Sequence, residues 1–214
     1  MENQKPILAT NIDGFLLKHE AFIEPHRKWF DKAAMLLKDE SVKKWKGTPN
    51  YFKGVNEVME RIMPSATKEE RTAQARKWYQ QEIVGYIREN PGVVCDSVVN
   101  KLIELKSKYT LALVTTNTQQ YINKILKAAD LEGIYDIVFA SQEKEEPIKK
   151  EVFRRFVDKY RKPEYYIAAK NGERFESCLK LGITTIYAGW DIKDDYLEKK
   201  AAIKLEKPSK LETL

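Results

Sequence analysis

The chain has 214 residues, 43% of them hydrophobic and 33% charged, which is typical of a globular protein with one core and a small accessory domain. Its 38 basic residues are interleaved with 32 acidic ones, so the net charge of +6 indicates a mixed solvated surface, not a nucleic-acid site. No apolar run approaches the ~20 residues of a membrane span, and the first residues do not resemble a signal peptide. We therefore expect a cytoplasmic protein that binds neither membranes nor nucleic acid.

The first predicted element is a buried strand at residues 6–11, which the turn Ile12-Asp13-Gly14 closes. From about residue 22 to residue 89, apolar side chains recur at helical spacing, which predicts three or four helices. Helix-capping and helix-breaking residues mark the boundaries of this block: Thr48-Pro49, Pro64, Thr67 with Glu70, and Asn90-Pro91-Gly92.

Beyond residue 92 the pattern alternates between helices and short apolar strands. Helices are predicted at 98–105, 122–129, 152–160 and 175–181, and strands at 110–115, 137–140, 165–169 and 184–188. Continuous apolar strands separated by helices predict a doubly wound, Rossmann-like parallel sheet covered on both faces, which is an α/β fold. In such a sheet the functional site lies at the carboxyl ends of the strands.

Two segments carry motifs of a known family. Asn11-Ile12-Asp13-Gly14-Phe15-Leu16 resembles the first motif of the haloacid dehalogenase (HAD) superfamily, whose usual form is Asp-x-Asp-Gly-Thr-Leu. Residues 90–140 resemble it more closely, with Asn-Pro-Gly before a helix and a strand that ends in Thr. The resemblance, to the helical-cap phosphatase branch, implies a discontinuous core at 1–16 and 90–200, a helical cap at 17–89 and a C-terminal tail at 201–214. We expect the cap to cover the carboxyl ends of the strands.

The resemblance also implies a chemistry, in which a carboxylate nucleophile accepts a phosphoryl group and a second carboxylate acts as general acid and base. Asn11 stands at the nucleophile position, Asp13 at the acid/base position and Thr115 at the phosphate-binding hydroxyl. Three further residues are predicted to contact the substrate: Gly14, Thr116 and Asn117.

The remaining family motifs are disturbed. The usual Lys-Pro reads Glu146-Pro147, and either Lys149 or Lys150 is the candidate phosphate-binding lysine. The Gly-Asp expected after the fourth strand falls on Ala168-Ala169, and the second acid falls on Glu173 or on Arg174. Asp13 and Glu173 then remain as metal ligands, so we predict that Mg²⁺ binds only weakly.

Structural interpretations of these residues stay open beside the functional ones. Asp13 is also suited to capping its turn, Thr115 to packing, and Lys149 and Lys150 to a solvated helix start. We expect the remaining polar candidates at the surface or in solvated turns, and both cysteines as free, buried thiols: His19, His26, Asp191, Asp194, Asp195, Cys95 and Cys178.

Two functional hypotheses follow. In the first, the chain is a pseudoenzyme that has lost most or all phosphohydrolase activity and binds a small phosphorylated molecule or a protein partner. In the second, it is an active Mg²⁺-dependent phosphatase in which Asn11 is an inactivating replacement of the nucleophilic Asp. We favour the first, because the second does not explain Ala168-Ala169.

Overall fold

The computed structural model describes residues 5–48, 51–142, 148–170 and 172–214. These residues form two compact units. The first unit contains the chain up to His19 and from Gly92 onward, and the second contains Glu20–Pro91. In the described part of the chain, no helix combines the length and the apolar character needed to cross a bilayer.

The first unit is built on a parallel sheet, whose described strands lie in the order β3-β2-β1-β4-β5-β6. Their bounds are β1 Ile7–Thr10, β2 Thr110–Thr118, β3 Ile137–Ser141, β4 Tyr165–Ala168, β5 Thr184–Ala188 and β6 Ile203–Leu205. β1 is central, pairing with β2 through Thr10 and Leu113 and with β4 through Thr10 and Ile167. The carboxyl ends of β1, β2 and β4 therefore meet at one edge of the sheet, as doubly wound sheets require.

Helices connect these strands: α4 Asp96–Leu105, α5 Gln119–Ala128, α6 Lys149–Lys159, α7 Gly172–Lys180 and α8 Asp195–Lys200. Alternate strand residues such as Ile7, Ala9 and Tyr166 pack with Phe153 and Phe175 in one buried cluster. The intervening residues of the strands are equally buried, among them Leu8, Leu113 and Ile167. Because successive strand side chains point to opposite faces, both faces of the sheet are covered, as the continuous apolar runs predict.

The second unit is helical, with α1 Glu20–Leu37, a 3-10 helix at Glu40–Trp45, α2 Tyr51–Ile62 and α3 Lys68–Glu89. Trp29, Phe30, Val58 and Met59 centre its own apolar cluster. The predicted capping box is confirmed at the start of α3, where the Thr67 side chain accepts from the backbone N–H of Glu70 and the Glu70 side chain accepts from that of Thr67. Thr48-Pro49 lies only in part within the described residues.

Two sequence expectations about the first unit need correction. β2 continues to Thr118, beyond the predicted end at Thr115, because the pairing with β3 resumes after an irregularity between Val114 and Thr118. Residues 201–214 do not form a tail outside the core, since β6 pairs with β5, and Leu205 and Leu211 are buried. Burial of these two leucines, Leu205 within the sheet and Leu211 in a short 3-10 helix that contacts α4, stabilises the segment as part of the unit.

Candidate functional site

A tight turn after β1 forms the centre of the candidate site. The carbonyl of Ile12 accepts hydrogen bonds from the N–H groups of Leu16 and Leu17, at 3.1 and 3.0 Å. Gly14 has φ +73, and a Cβ placed on it would lie 2.9 Å from Cβ of Ala169. Glycine is required here by both backbone conformation and space, and it brings the turn against the carboxyl end of β4.

Asn11, at the carboxyl end of β1, is buried with 7% of its surface exposed. Its Nδ2 donates to the backbone carbonyl of Asp13 at 3.1 Å, which fixes the orientation of the amide because the reverse orientation would place two oxygens together. Oδ1 consequently has no hydrogen-bond partner among the described residues. An unsatisfied buried acceptor costs about 1–3 kcal/mol, so this oxygen holds an unused hydrogen-bonding capacity at the end of β1.

Asp13 is the centre of a side-chain cluster with His19 and Lys170. Its Oδ1 lies 2.8 Å from Nδ1 of His19, and its Oδ2 lies 3.7 Å from Nζ of Lys170. Nζ of Lys170 also lies 3.4 Å from Nε2 of His19, which closes a triangle of contacts. In the described part of the chain the carboxylate thus contacts side chains and does not cap its own turn. The three side chains are 26%, 30% and 32% exposed, so a ligand can reach them.

His19 does not lie freely on the surface, contrary to the expectation from sequence. Besides its ring contacts, its backbone N–H donates to Oδ2 of Asp191 at 2.6 Å, which ties the loop after β5 to the cluster. His26, in the helical unit, stacks on Tyr79 with ring centroids 4.0 Å apart. The ring contact of His19 with Asp13 spans only six positions and its contact with Lys170 spans 151, and periodicity specifies neither.

Two aspartates after β5 and the two cysteines lie outside this cluster. Asp194 caps α8 by accepting from the N–H of Leu197, whereas Asp195 is exposed as expected. Cys95 and Cys178 are free, and Cys178 is buried while Cys95 is half-buried. Burial, with a smaller contribution from the negative charge of Asp191, raises the pKa of Cys95 to about 11. Cys95 is therefore a thiol near neutral pH and not a nucleophile.

The predicted phosphate-binding residues lie on β2. Thr115 is buried, and its Oγ1 accepts from both the backbone N–H and the Nδ2 of Asn117, each at 3.1 Å. Thr116 and Asn117 are half-buried and fall in the irregular part of the β2–β3 pairing. Since Thr10 pairs with Leu113, Asn11 and Thr115 both follow the paired residues at the same edge of the sheet.

The structure gives less support to the predicted phosphate-binding lysine and to the predicted metal ligands. Lys149 begins α6 half-buried and Lys150 is exposed beside it, and a role for either in phosphate binding stays a prediction. Glu146-Pro147 and the side chain of Glu173 lie outside the described residues. Within the described ranges, no group of three His, Cys, Asp or Glu residues is arranged to hold a metal ion.

Arg174, the alternative position for the second acid, lies in the core of the first unit. Its guanidinium donates to the carbonyl of Val114 at 2.6 Å and to the hydroxyl of Tyr166 at 3.3 Å. Among the described residues its Nε has no partner. A buried cation therefore contacts β2 at Val114, and it stands at one of the two positions where the family resemblance allows an acid.

Lys170 is the site residue that the sequence analysis missed. It directly follows Ala168-Ala169 at the carboxyl end of β4, so a lysine at that strand end was an available signal. The family pattern favours Lys149 and Lys150 instead, because it places its lysine before the helix that they begin.

The family model described as haloacid dehalogenase-like hydrolase matches residues 11–167, which include Asn11, Asp13 and Thr115. The chain belongs to the haloacid dehalogenase-like hydrolase family. The resemblance inferred from the first motif and from residues 90–140 is confirmed, as is the α/β fold class.

Solved structures share the fold of this chain at low sequence identity. A haloacid dehalogenase-like family protein from Streptococcus pneumoniae is 17% identical over 98% of this chain and 97% of that chain, with a TM-score of 0.65. A protein from Thermotoga maritima that is described as a β-phosphoglucomutase is 20% identical over 96% of each chain, with a TM-score of 0.61.

A HAD-hydrolase from Bacillus subtilis, solved with bound magnesium, is 15% identical over 99% of this chain and 98% of that chain, with a TM-score of 0.62. No curated protein matched the chain in sequence. At these identities the comparisons establish the fold, and the function must be argued from the site.

Proposed function

We propose that this member of the haloacid dehalogenase-like family, with Asn at position 11, has little or no phosphohydrolase activity and acts as a binding or partner-interacting protein. The observation that carries the proposal is the amide of Asn11 at the position of the family's nucleophile. An amide oxygen is neutral and far weaker as a nucleophile than a carboxylate, so it does not efficiently accept a phosphoryl group.

The surroundings of Asp13 support the same proposal. A general acid and base must exchange a proton with the substrate, but this carboxylate is already engaged by His19 and Lys170. Alanines, both fully buried, follow at the end of β4 where the family pattern expects Gly-Asp. Charge stabilisation of the transition state is usually the largest catalytic contribution, and here the acid that the family pattern expects at the end of β4, where it would help to hold a metal, is replaced by alanine.

Binding without turnover is supported by the accessible part of the site. The ammonium of Lys170, whose side chain is 32% exposed, is a group that binds phosphate oxygens, and the buried hydroxyl of Thr115 lies at the same edge of the sheet. We propose a small phosphorylated molecule as the ligand of this edge, and a protein partner as the second class. The two are separated by titrating the protein with p-nitrophenyl phosphate, which only the first class predicts to bind.

Activity is tested by restoring the nucleophile. We expect the wild type and Asn11→Asp to hydrolyse little p-nitrophenyl phosphate, with or without Mg²⁺. The new carboxylate would repel the phosphate without a metal ion to offset the repulsion. The measurement is release of p-nitrophenol, with matched circular dichroism spectra to show that each variant is folded.

An opposite result would restore the phosphatase hypothesis. A Mg²⁺-dependent turnover of ~1 to 1,000 per second in Asn11→Asp would fall in the ordinary range of enzymes. If that rate disappeared in Asn11→Asp combined with Asp13→Ala, Asn11 would be a single inactivating lesion in a working active site.

A further inference from the structure

A divalent metal ion is the cofactor that the family resemblance implies for this site, and the residues present do not fit it. Mg²⁺ binds through several oxygens, mostly carboxylates. The described part of the site offers the carboxylate of Asp13, the buried amide oxygen of Asn11 and, beside His19, the carboxylate of Asp191, which already accepts from the backbone N–H of His19. Within the described residues, no group of three His, Cys, Asp or Glu side chains is arranged to hold a metal ion.

The acid of the family's Gly-Asp pair at the end of β4 is replaced by Ala169, and the next residue is a lysine. The second acid position falls on Glu173, whose side chain lies outside the described residues, or on Arg174.

The contacts of Lys170 and His19 assign the hydrogen-bonding roles in the cluster. An ionised carboxylate only accepts, so Nδ1 of His19 must donate to Oδ1 of Asp13 across 2.8 Å. An ammonium only donates, so Nε2 of the same ring accepts from Lys170 across 3.4 Å. Both oxygens of Asp13 therefore face donors that belong to the protein.

We infer that the ammonium of Lys170 is the resident counter-cation of Asp13 and takes the place of a divalent metal ion, so that the site binds its ligand without metal. A metal ion coordinated by Asp13 would have to displace this ammonium or lie beside it. Repulsion between a divalent ion and a fixed positive charge a few ångströms away then opposes metal binding.

The test is titration with Mn²⁺, followed by electron paramagnetic resonance, which reports the free ion directly and needs no enzymatic activity. We expect no saturable binding to the wild type up to ~10 mM Mn²⁺. Lys170→Met keeps most of the side-chain length and removes the charge, so we expect it to bind Mn²⁺ at least about tenfold more tightly than the wild type. Lys170→Arg keeps the charge and should behave as the wild type.

Two controls isolate the cluster. Lys193→Met removes a lysine of the same unit that is 81% exposed and pairs with Asp195, and it should leave Mn²⁺ binding unchanged. Adding Asp13→Asn to Lys170→Met should remove the gained affinity. Submillimolar Mn²⁺ binding by the wild type, or an unchanged titration in Lys170→Met, would overturn the inference. Metal-free hydrolysis of p-nitrophenyl phosphate would instead contradict the proposed function and leave this inference standing.

Discussion

Gly14 shows how a single residue controls the geometry of the site. Its φ of +73 is strained for a residue that carries a Cβ. A Cβ at this position would lie 2.5 Å from Cδ1 of Ile192 and 2.9 Å from Cβ of Ala169. The end of the Ile192 side chain can rotate away. The Cβ of Ala169 cannot, because it is fixed to the backbone at the end of β4.

We predict that Gly14→Ala lowers the free energy of unfolding by about 3 kcal/mol, combining the strained backbone with overpacking. Gly133→Ala is the matched control, because Gly133 has φ +78 but no atom within 4 Å of the added Cβ. That variant should lose only about 1 kcal/mol, from the backbone alone. Urea unfolding followed by circular dichroism measures both, and equal losses would contradict the packing argument.

At the scale of elements, α3 begins at a cap that is visible in the sequence and realised in the structure. Oγ1 of Thr67 accepts from the N–H of Glu70 at 3.2 Å, and Oε2 of Glu70 accepts from the N–H of Thr67 at 2.7 Å. The two bonds satisfy N–H groups that the first turn of a helix leaves without partners.

Loss of this cap should weaken the helical unit. We predict that Thr67→Ala lowers the free energy of unfolding by about 1 kcal/mol. Thr72→Ala, inside the same helix, is the control and should be neutral or slightly stabilising, because alanine has the higher helix propensity. A thermal or urea titration compares the two variants, and a loss as large in Thr72→Ala would show that the cap contributes nothing particular.

At the scale of the whole molecule, buried acids that ionise at high pH link stability to alkalinity. Burial raises the pKa of Tyr166 from 10.0 to about 12 against a smaller opposing effect of Arg174, and raises that of Cys95 from 9.0 to about 11. A raised pKa means that the folded state favours the neutral form. The contribution of the neutral Tyr166 and Cys95 to the free energy of unfolding is therefore fully present below pH 9. It is lost as the pH rises toward 12.

We predict that ionisation of Tyr166 alone lowers the free energy of unfolding by up to about 1.4 kcal/mol per pH unit between pH 10 and pH 12. Urea unfolding at a series of alkaline pH values measures the slope. Tyr166→Phe should flatten it without abolishing it, since Cys95 still titrates. An identical pH dependence in wild type and Tyr166→Phe would show that this buried hydroxyl does not govern alkaline unfolding.

The sequence by itself determined the α/β pattern, the helical block, the capping box of Thr67 and the kinship. These depend on periodicity, on local hydrogen bonding and on motifs within short stretches, all of which one chain segment encodes. The same reasoning placed Asn11 and Thr115 at strand ends, because parallel strands bring their carboxyl ends to one edge. β6 was missed because a three-residue strand has too few residues to show a period.

Only the tertiary structure decided which charges meet. Asp13 and Lys170 are separated by 157 positions in the numbering and Lys170 and His19 by 151, yet one triangle of contacts joins the three side chains. Their approach depends on the adjacency of β1 and β4 in the sheet, which strand periodicity does not specify. A side chain's partners across strands are set by strand order and register, so the cation beside Asp13 became visible only in the folded chain.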